Sequence, residues 1–165
     1  MRILALDLST TNIGWVISLP NGSFDHNTIT PYAPKDSKIN DRLVAIADAL
    51  QQIFELQDPT HVAYEAQSKY GPNSFAHSYV IGLMLVLALR RGITPVPIAP
   101  TTGKKALTGH GTADKAAMVL AAYPHLGTCT DHEADALGVL FAFLTKLKEI
   151  PPKKKLRTRI TKGAK

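Results

Sequence analysis

One cysteine, Cys129, is too few for an internal disulfide framework or a cysteine-rich zinc site, and it fits a reducing compartment. No apolar run reaches the roughly 18–20 residues of a membrane span. The longest, Tyr79 to Leu89, lies mid-chain and is interrupted by Gly82. Met1 leads directly into a strand-like segment, which gives the expectation of no secretory signal and a cytoplasmic location. Neither a P-loop nor a Ser-His-Asp nucleophile arrangement is visible. Acidic residues are missing from the end of the chain: Lys153 to Lys165 holds seven Lys or Arg and no Asp or Glu. The net charge of +6 therefore belongs to a tail, and residues 1–152 are close to neutral.

What is present reads as an ordinary globular domain. The chain is 45% hydrophobic and 19% charged, and its 165 residues are enough for one real core. We expect one domain over residues 1–150 and a basic, disordered arm over 151–165. The arm, with Lys153, Lys154 and Lys155, has too little apolar surface to fold alone. It reads either as a non-specific phosphate binder or as a solubilising terminus.

Strand-length apolar runs cover Arg2 to Leu8 and Asn12 to Leu19, and Phe24 to Thr30 alternates as a third strand. Pro20-Asn21-Gly22 between the last two predicts a hairpin, with Asn-Gly suited to a type I′ turn. Ile39 to Leu56 repeats at helical spacing until Asp58-Pro59, and His61 to Glu65 is a brief strand. Gly71-Pro72-Asn73 marks a turn, Ser74 to Arg91 a helix ending before Gly92, and Thr94 to Ala99 a strand edged by prolines. Pro100 to Gly111 reads as a loop or a short helix. Thr112 is placed to cap a helix to about Tyr123, stopped by Pro124, and Asp131 to cap a last helix to about Lys148. Three strands followed by alternating helices and strands predict an α/β domain, a mixed sheet with helices on both faces.

The carboxylates carry the functional signal. Asp7 ends a strand that otherwise looks buried on both faces; taken alone it reads as the start of a turn, bonding the amides of Ser9 or Thr10. Glu65 closes the fourth strand, and taken alone it is a solvated strand end. If those two strands are parallel neighbours, both acids emerge at one edge, where they repel unless a cation lies between them. The last helix opens Asp131-His132-Glu133-Ala134-Asp135, in which His132 and Asp135 share a face. Asp131 reads as a cap and Glu133 as a solvated second-turn residue, whereas Asp135 sits among Ala134, Ala136 and Leu137. Asp7, Glu65, His132 and Asp135 form an oxygen-rich set with one imidazole, suited to Mg²⁺ or Mn²⁺. Two such ions about 3.5–4 Å apart align a water and a scissile phosphate.

Four segments match a known family in order and spacing: ILALDLSTTNIGW, the strand ending in Glu65, APTTGKKALTGHGTADKAAM and DHEADALGV. Across residues 1 to about 148 the chain resembles the RuvC family of Holliday-junction resolvases. The resemblance implies a five-stranded ribonuclease-H-like fold, a homodimer, and paired nicks in the continuous strands of a four-way junction. It places the catalytic and metal-binding positions at Asp7, Glu65, His132 and Asp135, the third being Asp in some members and His in others. It places DNA-contacting basic positions at Lys104 or Lys105 and at Lys115. A lysine in a first helical turn opposes the helix dipole, which favours a ligand-facing role for Lys115. The chain departs from the family at its aromatic wedge: Ser68 holds that place and the nearest aromatic is Tyr70. Its small size and lysine-rich arm are similar to those of phage-borne members.

The helix from Ser74 to Arg91 is apolar nearly all round, as deep core is, or as a face meeting a second copy would be. Two other classes compete. Asp7-Leu8-Ser9-Thr10-Thr11 also opens sugar-kinase and actin-like phosphotransferases, but those need a second domain for which this chain has no room. A non-catalytic DNA-binding module would use the lysines and leave four metal-type ligands without a task. A ribonuclease-H-like enzyme acting on RNA, or a nuclease taking branched DNA broadly, shares the chemistry.

Overall fold

The computed structural model describes residues 1–32, 39–67 and 74–149. Its elements are β1 (Ile3–Leu8), β2 (Ile13–Ser18), β3 (Phe24–Ile29), α1 (Ile39–Gln57), β4 (His61–Glu65), α2 (Ser74–Arg90), β5 (Val96–Ile98), α3 (Pro100–Thr108), α4 (Lys115–Leu126) and α5 (Asp131–Glu149). The five strands form one sheet in the order β3-β2-β1-β4-β5. β1, β2 and β3 pair as an antiparallel meander, while β4 lies parallel to β1 and β5 parallel to β4. This is the mixed sheet that the order of elements predicts.

Alternation along the strands divides the core in two. Leu4, Leu6, Leu8, Ile13 and Ile17 face α1 and α2, packing with Ile46, Leu50, Phe54, Val80 and Met84. Ile3, Ala5, Val16, Ala63 and Ile98 face the other way, against Met118, Ala122, Ala134, Leu137 and Leu140 of α4 and α5. β1 is apolar on both faces because helices cover both. No helix among the described residues is long and apolar enough to cross a membrane.

Several local expectations are corrected. The β2–β3 turn is not type I′: Gly22 N–H donates to the Leu19 carbonyl at 3.0 Å, and only Gly22 in this turn has a positive φ, +86°. Pro20 explains this, because its ring fixes a negative φ where type I′ needs a positive one. β5 is three residues rather than six, since Pro95 and Pro97 limit pairing on this edge strand. The segment left open as a loop or a short helix is α3, with Pro100 in its first turn and Gly109 closing it at φ +83°.

α4 is capped by Asp114, whose side chain accepts from Ala117 N–H at 2.8 Å, and not by Thr112. Pro124 lies inside the helix rather than stopping it; α4 runs to Leu126, where Gly127 N–H closes on the Tyr123 carbonyl. α5 is capped by Thr130 rather than Asp131. The Thr130 hydroxyl accepts from Glu133 N–H at 3.2 Å and Glu133 answers to Thr130 N–H at 3.3 Å, a reciprocal box that satisfies two orphan amides. The predicted turn at Gly71-Pro72-Asn73, the positions Ser68 and Tyr70, and the basic arm with Lys153, Lys154 and Lys155 lie outside the described residues.

Candidate active site

Parallel pairing of β1 with β4 sets Leu6 opposite Tyr64, so the next residues, Asp7 and Glu65, stand side by side at the carboxyl edge of the sheet. By alternation both project toward the face that α5 covers. The start of α5 crosses that edge, and His132 Nδ1–H donates to Asp7 Oδ2 at 2.7 Å. Asp7 therefore does not cap its own turn. The Ser9 hydroxyl does that work instead, accepting from Thr11 and Asn12 amides and donating to the Asn12 carbonyl.

Two glycine contacts make this convergence possible. Gly14 of β2 is the register partner of Asp7. A Cβ on Gly14 would lie 2.5 Å from the His132 carbonyl oxygen and 2.6 Å from His132 Cβ. α5 thus reaches the sheet only because position 14 has no side chain. Further along, a Cβ on Gly138 of α5 would lie 2.9 Å from the Gly103 carbonyl oxygen of α3. That close crossing brings the neighbouring Lys104 to the site, where its ammonium donates to the Ala113 carbonyl at 2.8 Å.

Charges in this corner are strongly coupled. The Glu65 carboxyl is pushed up to about 8, first by burial and then by the charges of Asp7 and Asp135, with Lys104 pulling the other way. Asp135 is pushed up to about 6, again by burial first and then by Asp7. His132 is held above its usual range by its hydrogen bond to Asp7. At the rim, the exposed ammonium of Lys115 pairs with Asp131, and this contact draws the Asp131 carboxyl below the usual range.

Among the described residues no three His, Cys, Asp or Glu side chains converge closely enough to hold a metal ion as they stand. The chemistry of the donors nonetheless fits one. Half-buried carboxylates whose charges raise a neighbour's proton affinity are what a divalent cation relieves. A pH dependence follows. Glu65 and Asp135 keep protons in the folded chain where the unfolded chain has lost them, and His132 gains stability only while protonated. All three contributions are present at low pH and are lost as pH rises, that of Asp135 toward about 6 and that of Glu65 toward about 8. The metal-free protein is expected to melt at a lower temperature at about pH 8 than at about pH 5. Added Mn²⁺ should raise the melting temperature more at the higher pH, as scanning calorimetry would show; an equal rise at both would contradict the coupling.

The four predicted residues thus lie at one edge of the sheet: His132 bonds Asp7, and the charges of Asp7 and Asp135 act on Glu65. Of the predicted lysines, Lys104 faces the carboxylates, Lys105 is exposed on α3, and Lys115 stands at the rim. Sequence reasoning missed Gly14, although a glycine inside a strand signals a close approach. It also misjudged Glu133, which is 5% exposed rather than solvated. The signal was legible as Thr130-x-x-Glu133 ahead of an apolar run.

A five-stranded mixed sheet in this order, with an acidic corner under the start of the last helix, defines the ribonuclease-H-like class. Within that class the chain belongs to the RuvC family: residues 10–142 match the family described as crossover junction endodeoxyribonuclease RuvC. It is 32% identical over 149 residues to the crossover junction endodeoxyribonuclease RuvC of Gloeobacter violaceus, covering 84% of this chain and 85% of that one. It is 34% identical over 155 residues to the enzyme of the same name from Rhodococcus opacus, covering 83% and 79%. Among solved structures it is similar to Thermus thermophilus RuvC in complex with Holliday junction substrate, with a TM-score of 0.75 at 23% identity, covering 90% of this chain and 96% of that one. Membership makes the chain an endonuclease by family and implies dependence on a divalent metal.

Proposed function

We propose that this chain resolves four-way DNA junctions by paired symmetric nicks, with Asp7, Glu65, His132 and Asp135 holding two Mg²⁺ or Mn²⁺ ions. The observation that carries this reading is the coupling of Glu65 and Asp135 to Asp7, with His132 bonded to Asp7 at 2.7 Å. Divalent ions supply charge neutralisation at the phosphodiester and at its attacking and leaving oxygens. The chain's own residues supply the rest. Asp7, Glu65 and Asp135 collect negative charge in a half-buried corner that attracts the ions. His132 orients Asp7 through its Nδ1 proton. Lys104, fixed by the Ala113 carbonyl, limits the repulsion between this corner and an approaching phosphate. Lys115 and Lys105 are exposed for backbone contacts, and Tyr70 and the arm lysines 153–155 extend the DNA-binding set.

Resolution by paired cuts needs two such sites, and α2 offers a surface for a second copy. Phe75, Tyr79, Val86 and Leu89 are exposed on it, and Tyr79 and Val86 flank a groove shared with Leu43 and Ala47 of α1. We read this face as the homodimer contact and place the protein in the cytoplasm, where its DNA substrate lies.

The test is incubation of a labelled four-way junction, a linear duplex and a replication fork with Mg²⁺ or Mn²⁺. Paired symmetric nicks in the junction alone are expected, faster with Mn²⁺ because an imidazole ligand favours it over Mg²⁺. Equal saturated rates with both ions would reject the metal preference. Unpaired single nicks would reject the dimer, and equal cutting of the fork would indicate a broader branched-DNA nuclease. No metal-dependent cutting at all would leave only a binding module.

A further inference from the structure

Among the described residues Glu133 is the only buried charged side chain, and it does not face the carboxylate corner. It lies between His132 and Asp135 in sequence, yet it is turned toward β3. Its Oε2 accepts from His26 Nδ1 at 2.8 Å and from Thr130 N–H at 3.3 Å, and its Oε1 accepts from the Thr28 hydroxyl at 2.9 Å. The Thr28 and Thr130 hydroxyls are 2.6 Å apart, and Thr130 Oγ1 accepts from Glu133 N–H. With Thr28 donating to Glu133, the Thr130 proton must go to Thr28, so every donor in the chain of bonds has one use. The other ring nitrogen of His26 lies 3.1 Å from the Leu126 carbonyl, at the end of α4. The His26 ring thus lies within hydrogen-bond distance of both the Glu133 carboxylate and the Leu126 carbonyl.

This single ring fastens three elements. It binds the negative end of α4, the first turn of α5 and the edge strand β3. The capping box of Thr130 and Glu133 is complete within the turn, so a tie from that turn across to β3 is not needed for capping. It does fix where the turn sits. Both α5 residues of the candidate site, His132 and Asp135, flank Glu133 on that turn.

We propose that His26 and Glu133 are positioning residues for the metal site, with Thr28 and Thr130 completing a latch that sets His132 and Asp135 against Asp7 and Glu65. The proposal rests on the reading of those four side chains as metal ligands.

Calorimetric titration of the full chain with Mn²⁺ tests it, alongside metal-free binding of a four-way junction and melting temperature. His26→Ala and Glu133→Ala are expected to weaken Mn²⁺ binding roughly tenfold or more, since ångström-scale misplacement of functional groups is that costly. Metal-free junction binding should stay within about twofold, because the exposed lysines that contact phosphates are untouched. Glu133→Gln, which keeps a side-chain acceptor, should recover part of the loss. Thr28→Val removes one hydroxyl without opening the fold and should give an intermediate effect; it decides the matter if the alanine variants fail to fold. Mn²⁺ affinity equal to wild type in Thr28→Val and His26→Ala, with only the melting temperature lowered, overturns this proposal and leaves a purely structural tie. Wild-type protein that binds no Mn²⁺ overturns the ligand reading itself, and this proposal with it.

Discussion

Asp7→Asn is expected to lower junction cutting by about a thousand-fold or more while leaving junction binding in place. The size follows from what a misplaced ion costs. Charge stabilisation by a bound divalent cation is worth several kcal/mol at the transition state, and about 1.4 kcal/mol is a factor of ten. The amide keeps the shape of the side chain and can still pair with His132 Nδ1, so the fold is retained. It removes the charge that raises the proton affinity of both Glu65 and Asp135. The variant should therefore also show Glu65 and Asp135 titrating lower in a carboxyl-resolved NMR titration. Rapid cutting by Asp7→Asn at saturating Mn²⁺ would remove this residue from the catalytic set. Loss of binding together with cutting would point to a general defect instead.

Gly14→Ala should also have a large effect, by a different route. The added methyl meets the backbone carbonyl of His132 at 2.5 Å, and a backbone cannot rotate aside as a side chain can. α5 must lift from β2 or the strand must bend. Overpacking of this kind costs roughly 1–3 kcal/mol. For a domain of this size each kcal/mol lowers the melting temperature by about 2–4 °C. The larger consequence is geometric. His132 and Asp135 ride on the displaced turn, and a shift of about 1 Å in a reacting constellation costs on the order of a hundred-fold in rate. A folded Gly14→Ala protein with unaltered cleavage kinetics would show that the contact between α5 and β2 does not set the site.

Much of the architecture was legible because β1, β2 and α1 carry strong periodic signals, and because burial on both faces of β1 left Asp7 conspicuous. The four site residues could be proposed from strand ends and helix spacing together with the family resemblance. What could not be read was which neighbour each would meet. Asp7 was expected either at its own turn or on a metal, and the structure gives it to His132, 125 positions away. Glu133 was assigned to solvent as a second-turn residue of the helix. Its burial depends on β3 folding back over α5, a tertiary fact that no local window contains. The turn at Gly22 failed for a simpler reason, since Asn-Gly was weighed without the constraint imposed by Pro20.

Half of the proposed four-residue site arrives late in the chain. Asp7 and Glu65 belong to the first part of the sheet, but His132 and Asp135 come with α5, the last described element. During synthesis the sheet can begin to assemble while the corner beside it remains chemically incomplete. Under the proposed ligand set, a nascent or prematurely terminated polypeptide would lack two of the four donors, and its hazard to DNA would begin only when α5 docks.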